Sequence, residues 1–539
     1  MASDKAPSAK SLAIGLASAD PSWQSLLDSE GLPWRLLGDL PRDLAACEVA
    51  VLPADAPAKV RAECNRWAER GGSLVIEMDY PTAAGRAATA AWPMPYHAAS
   101  FAGLADEGAA EAVRPERGTC GAGTFWRLPL AMAWLWPDHG KDARYICVDP
   151  SSDKHVFECM ARIVKKNVRR VAVEVLRRAM FERGLPLVRK WYWPGSHRSV
   201  FCYRGDCDGG NLAESEAFVA AVKPSARRAA MFICASNYDV RERFLREAAE
   251  AGIELGSHGW WHIAFPDRWT NDIALGRTER FLESLGSHPA GFVGPAYFWY
   301  PALYRVLERR GYRYSSSFGF DHDNWPCYPV VGGRAGSVLE IPHHAIGDLV
   351  WKFKIPLDGD TMRQFFAALI RKKHAAGEPI LLYGHPGVMG AHPDLLRFIL
   401  DLAASYADVW PAQLRDLERW WADRHQVKWR PTYEPAEGRL ACAVASPAAG
   451  PHGLPRIHVE CPDGRAYLAD AAACAAPGLR LTDMPPVRPL VAAPPCGVGE
   501  VFHRPDDAGR RAFRYVHRHS LMRMLKWYAE AWLPGMGRK

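Results

Sequence analysis

Apolar runs of strand length alternate with amphipathic stretches through the first 150 residues. "SLAIGLA" (11–17), "CEVAVLP" (47–53) and "GSLVIEM" (72–78) are such runs. Between the last two, "APAKVRAECNRWAERGG" (56–72) has helical periodicity and ends on a Gly pair suited to a helix C-cap. Strand, helix, strand in this rhythm predicts a parallel α/β sheet for residues 1–150. Residues 154–183 show helical periodicity with basic faces, so 151–189 reads as a connecting helix with a solvated charged face. From about 190 to 425 strands and helices alternate again, as in "RAAMFICAS" (228–236), "YDVRERFLREAAEAG" (238–252) and "IELGSH" (253–258). The pattern then changes. "GRLACAVAS", "PRIHVECPDGRAYLAD" and "GLRLTDM" predict short strands with "PDG" as a hairpin turn, a small β-sandwich within 426–539. The tail "YVHRHSLMRMLKWYAEAWL" (515–533) reads as an amphipathic helix packed on its own protein rather than on a membrane.

Length supports this division, because 539 residues exceed what one hydrophobic core accommodates. The net charge of +7 comes from Lys and Arg spread along the chain, which gives no footprint for nucleic acid. The 13 cysteines are scattered, odd in number and without a CxxC pair, as reduced thiols would be. The first residues show no h-region with a cleavage site, and the longest apolar run, "LPLAMAWLWP" (128–137), is about half a membrane span. A soluble, cytoplasmic protein without an integral membrane segment is expected, with a possible oligomer through the flanking domains.

The middle segment carries the chemistry. In "YRGDCDGGN" (203–211) the alternation of a strand places Cys202, Arg204, Asp206 and Asp208 on one face. Two neighbouring carboxylates repel unless a cation binds one of them. In "ELGSHGWWH" (254–262), His258 and His262 stand at i and i+4, which places them on one side of a helical turn. Two imidazoles and one carboxylate make up a catalytic rather than a closed zinc site. The first 150 residues offer no comparable chemistry: neither a nucleophile elbow nor a G-x-G-x-x-G follows their strands.

With the D-x-D, "HGWWH" and "EPILLYGHPG" (378–387) in this order, residues 190–425 resemble the polysaccharide deacetylases with a NodB homology domain, carbohydrate esterase family four. The resemblance implies a distorted, seven-stranded (β/α) barrel with its site at the strand C-terminal ends. It implies Asp206 as general base, Asp208, His258 and His262 as ligands of one divalent metal, most readily Zn2+, and His385 as general acid. Two positions depart from the family. "GFVGPAYFWYP" (291–301) has Val293 where the family has an arginine that orients the base, and Arg204 is the expected substitute. "YSSSFGFDHDNWP" (314–326) has Ser315 where an acid tunes the catalytic histidine, with Asp321 and Asp323 further on. Pro295 and the Ala296 N–H keep the oxyanion turn. Trp260, Trp261, Tyr297 and Trp299 suit either stacking on sugar rings or packing at the barrel mouth, one of His343 and His344 is expected to line the pocket, and His322 to contact substrate. The N-terminal sheet resembles the flavodoxin-like or amidotransferase-like group at the level of fold.

Three functions fit these residues. The first is a metal-dependent deacetylase of an N-acetylated sugar or glycan precursor. The second is a metal-dependent C–N hydrolase of a small non-sugar amide or cyclic imide. The third is a non-catalytic glycan-binding or scaffold protein with a degenerate NodB domain.

Overall fold

The structure is a computed structural model describing residues 9–77, 99–100, 103–104, 115–128, 131–139, 141–149, 154–161, 165–317, 325–344, 347–349, 358–445, 450–475, 477–488 and 525–532. It is a mixed α/β chain built around a curled parallel sheet. The strands of that sheet are β1 (Ser199–Cys207), β2 (Ala229–Ile233), β3 (Glu254–Ser257), β4 (Gly291–Phe292), β5 (Tyr314–Ser315), β6 (Leu339–Glu340), β7 (Ile380–Gly384) and β8 (Val409–Pro411). Their spatial order is β6-β5-β4-β3-β2-β1-β7, with β8 pairing the first residues of β1. Every pairing is parallel. The sheet curls into a half-barrel. Its two ends meet at one backbone bond, in which the His344 N–H donates to the Leu381 carbonyl of β7 at 2.8 Å.

Side-chain alternation explains the curl. On β1, Phe201, Tyr203 and Cys207 pack outward with Phe218, Val222 and Leu382. Val200 and Cys202 point the other way, into an inner cluster with Phe232, Val293, Tyr314 and Leu381. An apolar face on each side is what a parallel sheet with helical crossovers requires. The helices begin where the sequence supplies caps: Asn211 accepts from the Ala213 N–H ahead of Leu212–Val222, and Asp267 from the Thr270 N–H ahead of Arg268–Ser284.

A second sheet holds the expected strands Ile14–Leu16, Val49–Leu52 and Ser73–Glu77 in parallel, with Trp34–Leu36 and Gly123–Leu128 beside them and an antiparallel edge, Glu116–Cys120. The expected single helix over 154–183 divides. Residues Lys154–Ala161 form a strand antiparallel to Lys141–Asp149, and the helix is Lys165–Glu182. Its apolar stripe, Val168, Val171, Val175 and Leu176, is core. Strand pairing overrides the helical spacing in the first half of that segment.

Residues 428–480 form two small antiparallel sheets, and each takes in a strand from elsewhere. Lys10–Ser11 pairs with Lys428–Glu434, and Leu187–Lys190 pairs with Ile457–Glu460. The "PDG" turn joins Ile457–Glu460 to Ala466–Ala469, with Gly464 at φ 83°. Of the tail, the described part is a helix over residues 525–532, and it docks on the barrel. No helix among the described residues is long and apolar enough to cross a membrane.

Candidate metal and catalytic site

At the C-terminal end of β1 the inward positions change from apolar to charged. Arg204 and Asp206 follow Val200 and Cys202 on the same face, and both are buried, at 2% and 3% exposure. They meet each other there. Arg204 Nε lies 2.7 Å from Asp206 Oδ1, and Nη2 donates to Oδ2 at 2.7 Å. The remaining Nη1 donates to the carbonyl and hydroxyl oxygens of Ser316, both at 2.8 Å, and faces His343 Nδ1 at 3.2 Å. The Tyr383 ring lies 5.1 Å from the guanidinium. A planar donor fork of this kind fixes both oxygens of a carboxylate, which an ammonium cannot do.

Asp208 stands one residue beyond the strand. Its Oδ1 lies 3.0 Å from His258 Nε2 and 3.1 Å from His262 Nε2, and one ligand atom from each residue falls within 4.8 Å of the others. His258 Nδ1 lies 2.9 Å from the Val293 carbonyl, which can only accept, so Nδ1 carries a proton and Nε2 is the nitrogen left to face a metal. Asp208 Oδ1 is buried and has no hydrogen bond of acceptable geometry. A cation placed among the three would take the Asp208 oxygen and both imidazole nitrogens as ligands. The donor set therefore fits a divalent metal with an open position. Burial would raise the Asp208 carboxyl, but the two imidazoles beside it outweigh that and hold it well below the usual carboxylate range.

The two histidines are not on a helix. Residues 258–262 form an irregular bend in which Gly259 has φ 80°. A Cβ there would come within 2.9 Å of the Trp261 carbonyl, so the bend requires glycine in both conformation and space. The structure brings the pair together around Asp208, but through a bend and not through the helical turn that the i, i+4 spacing suggests.

His385 follows β7, which neighbours β1 in register at Gly205 and Gly384. Its Nε2 lies 3.6 Å from Asp208 Oδ2, and its Nδ1 lies 2.7 Å from Asp348 Oδ1. The other Asp348 oxygen accepts the His385 backbone N–H at 2.6 Å. Burial disfavours a charged imidazole here, yet Asp348, with Asp208 and Asp206 behind it, pushes His385 up to about 9. Asp348 is absent from the sequence reading, which weighed Ser315, Asp321 and Asp323 for this place. Ser315 is buried, with its hydroxyl against Ser317 at 2.9 Å. Asp321, His322 and Asp323 lie outside the described residues.

The other named residues separate. Val293 gives its side chain to the inner cluster and its carbonyl to His258. Pro295 is buried, and Ala296, exposed, has φ 49°, a strained conformation for a residue with a Cβ. His343 is buried behind Arg204, edge-on to Tyr383 at 4.7 Å, and His344 is buried at the sheet's closing bond. Trp261 is a correction. It is 3% exposed, its Nε1–H donates to Glu530 at 3.0 Å, and it offers no face to a sugar. Trp260 is half-buried, and Trp299 packs against His139 at 4.7 Å. The Tyr297 side chain lies outside the described residues.

No protein-family model and no curated protein matches the chain. Solved structures do. Two are named as polysaccharide deacetylases, one from Mycobacterium smegmatis (19% identity, TM-score 0.40, 43% of this chain and 93% of that one) and one from Pseudomonas aeruginosa PAO1 (19%, 0.38, 43% and 94%). A third is a family 4 acetyl xylan esterase from Clostridium thermocellum in complex with a cobalt ion (14%, 0.30, 41% and 91%). The resemblance is one of fold. It spans less than half of this chain, and the chemistry has to be read from the side chains.

Proposed function

We propose that this protein is a divalent-metal-dependent hydrolase that removes the acetyl group from the nitrogen of an N-acetylated sugar or glycan precursor. One observation carries the reading: the end of β1 holds two carboxylates in opposite company. Asp208 faces the imidazoles of His258 and His262, and Asp206, two residues away, is held by Arg204. His385 stands beside them, backed by Asp348.

Asp208, His258 and His262 would hold the cation, Zn2+ being the usual choice for such a set; when bound it polarises an acyl carbonyl and lowers the pKa of a water. Asp206 accepts the proton of the attacking water. Its oxygens are fixed by the guanidinium, so the base is oriented before substrate arrives. His385 keeps one ring nitrogen on Asp348 and presents the other toward Asp208, placed to protonate the departing amine. The Ala296 N–H serves as the oxyanion donor. Water and amide are thereby converted to acetate and a free amine. The sugar is inferred from the motif resemblance, with D-x-D, "HGWWH" and "LLYGHP" in the family's order.

The test is an activity screen of the zinc-loaded protein on N-acetyl sugars, short glycans and cyclic imides, reading free amine and acetate. Deacetylation of a sugar is expected. In Asp206→Asn it should fall by at least about a hundredfold while zinc stays bound. Turnover of imides with sugars untouched would replace this reading by the non-sugar amide hydrolase.

A further inference from the structure

We propose that the C-terminal helix, residues 525–532, is a clasp that positions His262 for metal binding. The inference rests on reading Asp208, His258 and His262 as a metal site. The two histidines are secured very differently. His258 is 2% exposed at the end of β3 and is tied through Nδ1 to the Val293 carbonyl. The His262 side chain is 30% exposed; its Nε2 faces Asp208 at 3.1 Å and its ring lies 5.1 Å from that of His258. Both partners belong to the metal site itself, so neither fixes the ring's direction from outside it.

What does set it is the pair of residues around it. Trp261 and Ile263 are buried in a small cluster with Phe265 and Ala274, and Ala531 of the helix completes that cluster. Trp261 Nε1–H donates to Glu530 Oε2 at 3.0 Å. Tyr528 meets the Phe265 ring edge-on at 5.0 Å and donates its hydroxyl proton to Asp267. Trp532 Nε1–H donates to Thr270 Oγ1 at 3.2 Å. Ala274 aside, these contacts fall on residues 261–270, the stretch that begins beside His262. Metal affinity depends on such supporting groups, because a ligand that must be ordered on binding binds less tightly.

The experiment is Co2+ titration of the full chain, following the visible d–d absorption, which reports both affinity and the ligand set. Ala531→Arg, which forces a long cation into the cluster, should weaken Co2+ by about tenfold or more and reduce the band intensity. Glu530→Ala should weaken it in the same direction. Glu530→Gln, which still offers Trp261 an acceptor, should restore most of the affinity. Leu525→Ala, on the exposed side of the helix, should change nothing. Thermal melting without metal separates the clasp from general destabilisation, because Glu530→Ala and Glu530→Gln should melt within a few degrees of each other while differing in Co2+ affinity. Wild-type Co2+ affinity in both Ala531→Arg and Glu530→Ala overturns the clasp and leaves the metal site standing. A wild-type chain that binds no Co2+, or a His258→Ala variant that binds it normally, overturns the metal site and the clasp with it.

Discussion

Arg204 and Asp206 are each nearly out of contact with water, so each supplies the solvation the other has lost. Arg204→Met keeps the stem and removes the charge, leaving a buried carboxylate without its cation. Turnover should fall by more than tenfold, and urea unfolding should show a loss of about 3 kcal/mol or more. Turnover within about threefold of wild type would mean that Arg204 does not orient the base. Glu254, on β3, gives a pH test away from the metal. Burial pushes it up to about 7, although Tyr314 O–H and the Arg415 N–H both donate to it, at 2.6 and 3.0 Å. Its folded pKa lies above its ordinary 4.5, so the folded state binds the extra proton between these values. The stabilisation is complete below about pH 4.5 and is lost as pH rises through 7. Between pH 5 and 8, wild type should therefore lose on the order of 3 kcal/mol more stability than Glu254→Gln. Equal losses in parallel urea titrations would contradict this. The Arg204 pairing is legible in sequence because alternation along a strand places residues two apart on one face. Asp348 is not, because it lies 37 residues before His385 in a stretch with no strand or helix period.

At the scale of the element, the decisive piece is the bend 258–262. Its glycine has positive φ and little room for a Cβ, so Gly259→Ala should cost about 1–3 kcal/mol and weaken zinc by about tenfold or more through the displaced His262. Isothermal titration with zinc and a thermal melt check both halves; unchanged zinc affinity would show that the bend is not what sets the ligands. The sequence reveals which histidines pair but not the shape that pairs them, since i, i+4 spacing suits a helix and a tight bend alike. Trp261 was misread for a related reason. Its partner Glu530 lies 269 residues away, and an aromatic beside a ligand looks the same in sequence whether it faces substrate or core. In the curled sheet β2 and β7 are legible as continuous apolar runs, whereas β4, β5 and β6, two residues each, are too short to give one.

At the scale of the whole molecule, distant segments are joined by a buried ion cluster. Glu30 accepts from Arg169 at 2.7 Å, Arg189 at 2.8 Å and the Tyr192 hydroxyl at 2.7 Å. Burial would raise its carboxyl, but the two guanidiniums hold it below the ordinary range. Glu30→Gln leaves two buried cations short of charge and should cost about 3–5 kcal/mol, with Co2+ affinity of the folded protein unchanged. A melting temperature within a degree of wild type would contradict it. The strand pairing of Lys10–Ser11 with Lys428–Glu434 has a consequence for how the protein is made. Tyr433 leaves the ribosome roughly 420 residues after its partner Lys10, a delay of roughly 20–80 s at ordinary elongation rates. For that interval the amino-terminal edge lacks its neighbour, so nascent chains stalled before residue 428 should be cut by protease near residue 10 and retained by chaperones, and full-length chains should escape both.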